Sequence, residues 1–403
     1  MKARYQYRIY PTPPQQTQLA RLFGCCRVVW NDALALIKRT EGKWPSNAQL
    51  QKLCITQAKR TPERAWLAEV SNIPLQQSIQ DLGVAFKNFF ESRSGDRQGA
   101  KVGFPRFKKR SNRQTTRFRK GGFSIKENKV YLAKIGAIKT KWSRPLPSEP
   151  SSVTVVKDRA GRYFLSFVVE VEAIDEPAAN PSVGVDLGLK VFAVLSHGER
   201  IESLGYAKLN RRLRRAQRVL SRRERGSKRR ERARLKVAKL KAKIRNLRKD
   251  FLHKLSTRLV RENTVVCLED LNVSGMVKNR RLARAISEAG WRELRTMCEA
   301  KSARYIDRET RIISRWEPTS QYCADCGYRW GKLDLSIREW VCLGCGLTQD
   351  RDENASRNIE NVGAGAGPQT QNGHGALVRP GSPARRVELS TRLVDEQGNL
   401  FAS

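Results

Sequence analysis

Three acidic residues in this 403-residue chain close short apolar runs: Asp186 in SVGVDLGLKVFAVL, Glu269 in TVVCLEDLNV and Asp352 in TQDRDENASRNI. A run of β-branched and apolar residues that stops at a carboxylate reads as a buried strand carrying a charge to the rim of a sheet. Taken singly, each acid is an ordinary helix N-cap or a solvated loop residue. Taken together, acids that converge without lysine partners repel one another in a low-dielectric cleft, and a cation must relieve them. Hard divalent ions such as Mg²⁺ or Mn²⁺ prefer oxygen ligands, and two of them about 4 Å apart clamp the attacking and leaving oxygens of a phosphodiester. The trio therefore predicts phosphoryl-transfer chemistry on nucleic acid.

Charge narrows the substrate. Seventy-nine Lys and Arg against 39 Asp and Glu give a formal net charge of +40, far more than solubility requires, which points to a polyanionic partner. A membrane surface is the rival, but the chain contains no run of about 18 apolar residues and no lipidation motif. The opening MKARYQYRIYP lacks the apolar segment of a secretory signal, so the expectation is a cytoplasmic, nucleoid-associated protein with no membrane partner. With 39% apolar residues the chain can bury real cores in several modules, which excludes a disordered basic tail.

Cys323, Cys326, Cys342 and Cys345 form C-x2-C-x15-C-x2-C, each pair followed by Gly in CADCG and CLGCG. Each C-x2-C brings two thiolates within reach of one tetrahedral ion, and the glycine permits the tight turn of a zinc knuckle. Four thiolates leave no open position, so the expected Zn²⁺ is structural. A disulfide reading requires an oxidising compartment, which the missing signal argues against. Cys25, Cys26, Cys54, Cys267 and Cys298 lie among apolar residues and read as small packing hydrophobes.

The order of patterns predicts a multidomain α+β chain. Residues 1–12 and 93–180 read as an antiparallel β-barrel, with a helical bundle inserted at 13–92. The evidence for strands is alternation in ARYQYRI, TTRFRK, KVYLA, SSVTVVKD and GRYFLSFVVEV; for helices it is the apolar spacing of QLARLFGCCRVVWNDALALI and LQQSIQDLGVAFKNFF. Basic and aromatic residues interleave from Phe104 to Lys120, and Arg106 and Lys108 there suit phosphate contacts beside base or sugar stacking. From Val183 a β-meander carries Asp186, bracketed by Gly184 and Gly188, which allow a backbone or phosphate to approach closely. Residues 208–249 hold 21 Lys and Arg against Glu224 and Glu231. Periodic leucines broken at Gly226-Ser227 predict a helical hairpin whose outer face, including Arg211, Arg215, Arg222 and Lys228, meets phosphates. The segment from Gly363 is expected to be disordered.

GVDLG, LEDLNV, a zinc ribbon and DRDENAS-NI, preceded by RIYP and KVGFPRFKK and accompanied by NRRLARAIS and SRWEPTSQYCADCG, together resemble the TnpB family, the RNA-guided nucleases of insertion sequences related to compact type V CRISPR effectors. The resemblance spans roughly residues 1–362. It implies an RNase H-like, RuvC-type α/β nuclease core at 181–319 and 350–362 carrying a four-cysteine zinc ribbon at 320–349, with 363–403 as tail. It implies Asp186, Glu269 and Asp352 as catalytic ligands of two Mg²⁺ or Mn²⁺, with Asp270, Asp350 and Glu353 as local alternatives, Asp350 as a helix cap and Asn354 as an orienting residue. It further implies a guide RNA and a target DNA as partners, one protein chain per guide RNA, and Gln76, Gln77, Arg119 and Lys120 as contacts to the DNA duplex beside the target. Two other functions use the same residues: a strand-transfer transposase, in which an end hydroxyl replaces water, and a non-cutting guided repressor. The ribbon between the second and third acids favours the guided nuclease.

Overall fold

The computed structural model describes residues 1–97, 99–111, 113–331, 334 and 337–365; most of the tail expected from Gly363, that is 366–403, lies outside the described residues. The backbone packs as two compact units, one of Met1–Ala179, Ser203–Thr264 and Val273–Glu309, the other of Asn180–Glu202, Val265–Asn272 and the chain from Thr310 onward. This division departs from the expected continuous span 181–319, because the basic hairpin and the helices after it pack with the amino-terminal elements.

In the first unit, β1 (Lys2–Tyr10) alternates so that Tyr7 and Ile9 are buried. Pro11 stops it and α1 (Pro13–Arg39) begins, with Pro13 in the first turn, where no N–H is needed, and the Thr12 N–H donating to Gln15 Oε1 at 3.0 Å. Helix α1 buries Leu19, Leu22, Phe23, Val29, Ala33 and Leu34, one stripe at helical spacing. After α2 (Asn47–Gln51), α3 (Asn72–Ser94) runs to Gly95, whose φ of +93° lets the chain turn out of the helix. These helices occupy the expected insertion.

Seven antiparallel strands follow the order β2-β6-β7-β1-β5-β4-β3, where β2 is Gln114–Arg119, β3 Phe123–Lys126, β4 Lys129–Leu132, β5 Gly136–Lys141, β6 Ser152–Lys157 and β7 Tyr163–Glu170. The expected barrel is therefore an open order, with consecutive strands β2 and β3 at its two ends. Flat, such a sheet would separate those ends by about 29 Å. The link between them is residues 120–122, which reaches about 14 Å at most. The sheet must curl until its edges lie side by side. Its concave core, with Tyr7, Phe118 and Phe167, is continuous with Leu19, Leu34, Leu75 and Leu82 of the helices.

The hairpin is α4 (Ala207–Ser221) and α5 (Lys228–Glu262), joined by a small core of Ala216, Val237 and Leu240. Ser227 Oγ caps α5 by accepting from the Arg230 N–H at 3.1 Å. The far end of α5 is held by Arg308, whose buried guanidinium donates to Val260 O at 3.0 Å, a cation placed where the helix dipole is negative. The unit also contains α6 (Val273–Met276), α7 (Ala283–Ala289) and α8 (Trp291–Ser302).

The second unit centres on five strands in the order β10-β9-β8-β11-β12. They are β8 (Asn180–Leu187), β9 (Val191–Leu195), β10 (Arg200–Glu202), β11 (Asn263–Glu269) and β12 (Glu309–Ile313). A hairpin of β13 (Glu339–Val341) and β14 (Thr348–Asp350) then leads into α9 (Arg351–Ala364), which runs past the expected tail boundary. Gly184 receives the backbone approach its sequence suggests, from α9 itself. A Cβ built there would stand 1.9 Å from Ser356 O and 2.6 Å from Glu360 N. Gly363 repeats the device, its imagined Cβ 2.4 Å from Cys267 Sγ.

Because both obstructing atoms at Gly184 are backbone, Gly184→Ala forces α9 off the sheet, and overpacking of this kind costs roughly 3 kcal/mol or more. Calorimetry of the variant should show a lowered melting transition; an unchanged one contradicts the close packing of α9 on β8.

Candidate active site

Strand β8 carries Asp186 opposite Val194 of β9, β11 ends at Glu269, and Asp352 lies in the first turn of α9. The sheet order puts β8 beside β11, and α9 lies on β8, so all three acids belong to one unit and one end of this layer. Asp186 is only half-buried by area, yet the atoms crowding its carboxyl, and then the charges of Glu269 and Asp352, push it up to about 8 against the weaker opposing effect of Arg351. Burial also raises Glu269, although its Oε1 accepts a 2.8 Å hydrogen bond from Thr319 Oγ1. Asp352 is engaged by Arg338, whose Nη1 donates to both carboxylate oxygens at 3.0 and 3.2 Å.

The neighbouring acids are occupied otherwise. Asp350 caps α9, accepting from the N–H groups of Asp352 and Glu353 at 3.1 and 2.9 Å, and pairs with Arg200 at 2.8 Å. Asp270 pairs with Arg315. Asn354 does not touch Asp352; it accepts from Ala324 N–H and donates to Tyr322 O, tying α9 to the first cysteine turn. Asn358 does the same through Thr319 O and Tyr322 O.

The acidic donors fit a hard divalent cation in chemistry: all are carboxylate oxygens, and Asp186 is raised first by burial and then by the charges of Glu269 and Asp352. Their placement is looser than that of the cysteines. Among the described residues, Cys323, Cys326, Cys342 and Cys345 form the group whose ligand atoms all lie within 4.8 Å of one another. The pairs Cys323–Cys345 and Cys326–Cys342 stand 3.8 and 3.6 Å apart at sulfur, matching the edge of about 3.8 Å of a tetrahedron with 2.3 Å Zn–S bonds. Arg338 occupies one lone pair on each Asp352 oxygen.

A basic cavity of about 770 Å³ lies in the first unit between α1, α3 and the curled sheet. Arg4, Arg27, Lys108, Lys109, Arg113 and Arg117 line it, together with Asp81, which pairs with Arg117. Of the residues expected to bind nucleic acid, Lys108 reaches this cavity, its ammonium 3.6 Å from the Trp30 ring centroid. Arg106 is exposed nearby, and its carbonyl accepts from Trp30 Nε1 at 3.1 Å. Gln77 is buried and donates to Asp81 at 3.2 Å, behind the surface it was expected to form; Gln76 is half-buried beside it. Arg119 and Lys120 are exposed, with Lys120 paired to Glu149 at 3.1 Å. Arg211, Arg215, Arg222 and Lys228 are all exposed on the hairpin, and Arg215 lines a groove of about 650 Å³ between α4 and α5. Arg4, Arg27 and Asp81 escape sequence reasoning because they come from three separate elements; Arg338 and Thr319 escape it because only the fold sets them against the acids.

Two expectations follow. The folded Asp186 carboxyl titrates near 8, above its ordinary 3.8, so its contribution favours the folded state below about pH 4 and is lost as the pH rises through 8. In metal-free protein, the melting temperature of Asp186→Asn relative to wild type should therefore climb between about pH 5 and about pH 9; a flat difference contradicts the crowded acid. Cys326→Ser should drop bound zinc below one per chain by elemental analysis, and undiminished zinc contradicts the four-thiolate site.

Residues 166–280 match the protein family described as "Probable transposase", residues 1–41 one described as "Helix-turn-helix domain", and residues 291–359 the "Cas12f1-like, TNB domain". A Streptomyces pristinaespiralis protein named "Putative RNA-guided DNA endonuclease" is 44% identical over 91% of this chain and 90% of its own length. The Escherichia coli K12 protein named "Putative RNA-guided DNA endonuclease InsQ" is 31% identical over 89% of this chain and 92% of its own. Among solved structures, a Cas12f1–sgRNA–target DNA complex superposes with a TM-score of 0.48 at 15% identity, over 86% of this chain and 81% of that one. At 44% identity along nine-tenths of its length, with the cysteine cluster in place, the chain belongs to the TnpB family of insertion-sequence proteins.

Proposed function

We propose that this chain is an RNA-guided DNA endonuclease of an insertion element, hydrolysing phosphodiester bonds at a RuvC-like site formed by Asp186, Glu269 and Asp352. The observation that carries the reading is the placement of these acids within one another's field, where burial first and then Glu269 and Asp352 raise Asp186. Guidance by RNA follows the names of the relatives, and the surplus of cations supports two nucleic-acid partners.

Asp186, Glu269 and Asp352 would hold two Mg²⁺ or Mn²⁺, which supply charge neutralisation and an activated water. The protein's own part is positional. Thr319 fixes the rotamer of Glu269, and the Asp350 cap fixes the first turn of α9 and with it Asp352. Arg338 stands within reach of Asp352 as a cation that neutralises it. Charge on β8 stays low near neutral pH until a cation compensates it, because the Asp186 proton is held to about 8. The four cysteines take one structural Zn²⁺. The basic cavity and the exposed hairpin cations are the proposed surfaces for the guide RNA, the target duplex and their hybrid, which proteins read by backbone and shape.

Asp186→Ala should reduce guided cleavage by at least about 10²-fold while guide RNA and target DNA remain bound in a gel-shift assay, and it should weaken Mn²⁺ binding measured by paramagnetic resonance. Equal loss of binding and cleavage makes Asp186 a structural residue. Joined rather than hydrolysed DNA ends would establish strand transfer.

A further inference from the structure

The segment from Ser314 to Tyr322 is pinned to the acidic site along its length. Arg315 pairs with Asp270, Thr319 Oγ1 donates to Glu269, and the Thr319 carbonyl accepts from Asn358 of α9 at 2.7 Å. Glu317 accepts from the Tyr322 hydroxyl at 3.0 Å, and the Glu317 and Trp316 N–H groups fold back on Ser314 O and Oγ at 3.1 and 3.3 Å. At the apex of this fixed strap stands Trp316, 85% exposed. A large aromatic left in water contributes little to a core, and this one stands on a turn tied down at Ser314, Arg315 and Thr319.

We infer that Trp316 is a stacking platform for an unpaired base of the DNA strand entering the carboxylate site. An indole offers a face to any base, so the contact is sequence-tolerant, as an enzyme directed by pairing elsewhere requires. The strap sets the distance. Trp316 and Thr319 are three residues apart, a reach of at most about 11 Å, so a base on the indole belongs to a nucleotide close to the phosphate facing Glu269. The strand held there is the one being cut, which selects the DNA substrate over the guide RNA as the occupant. Stacking would fix the register in which that strand is presented, with Arg315 held back from the phosphates by Asp270. The inference rests on the nuclease reading above and adds to it a nucleobase subsite.

The test uses the full-length protein loaded with its guide RNA and single-stranded DNA carrying 2-aminopurine beside the cut phosphate. With wild type, one 2-aminopurine position should be quenched on binding. Trp316→Ala should lose that quench and raise KM about tenfold with a smaller change in kcat, whereas Trp316→Phe should keep most of both. Both variants should bind guide RNA as wild type does, and their folding is safeguarded by the exposure of the side chain. If Trp316→Ala keeps the quench and the KM, or loses guide RNA affinity instead, the stacking subsite is overturned even though Asp186→Ala still abolishes cleavage. If wild type cuts no DNA, the nuclease reading fails, and quenching by wild type against Trp316→Ala still decides the subsite.

Discussion

The geometry of the acidic site depends on one contact: α9 lies with its backbone against β8 because Gly184 has no side chain. Asp186 stands two residues along the same strand, and Asp352 stands four residues before the Ser356 carbonyl that touches Gly184. The distance between two acids far apart in sequence is thereby set by packing between main chains, the stiffest kind available in a protein interior. Gly363, at the other end of the helix, leaves room for the Cys267 side chain of β11, the strand that ends at Glu269. Strand, strand and helix meet at these two points, and each carries one carboxylate.

Against that rigid acidic point, the rest of the chain is overwhelmingly cationic. The two charges do different work. Diffuse cations on α4, α5 and around the cavity lined by Lys108 and Arg113 suit a polyanion, whose counterions such contacts release. The acids repel the same polyanion locally, so a phosphate can settle there only with cations between.

Much of this was legible before the fold was known. The alternation around Tyr7 and Ile9, the leucine spacing of α1 and α5, the break at Gly226-Ser227 and the four-cysteine spacing are local signals, and each appears in the structure where its pattern placed it. Asp350 as the cap of α9 was readable because capping is a relation between neighbours. What was not legible is non-local. The open order of the seven strands follows from pairings across more than a hundred residues, such as Lys2 with Glu170. Gln77 was expected to contact DNA only because the family resemblance implied it, and its burial beside the Asp81 carboxylate is a packing fact the local sequence does not carry. Arg338 could not be set against Asp352 from sequence, since the ribbon between the second and third acids has to fold before the two meet.

That last meeting ties two inorganic chemistries together. Arg338 directly precedes β13, whose partner β14 leads straight into α9, and Cys342 and Cys345 lie in the loop between those strands. The ribbon therefore carries its own internal counterion to the third carboxylate. A ligand seated on Cys342 and Cys345 would thus bear, through β13 and β14, on where the guanidinium at Asp352 stands.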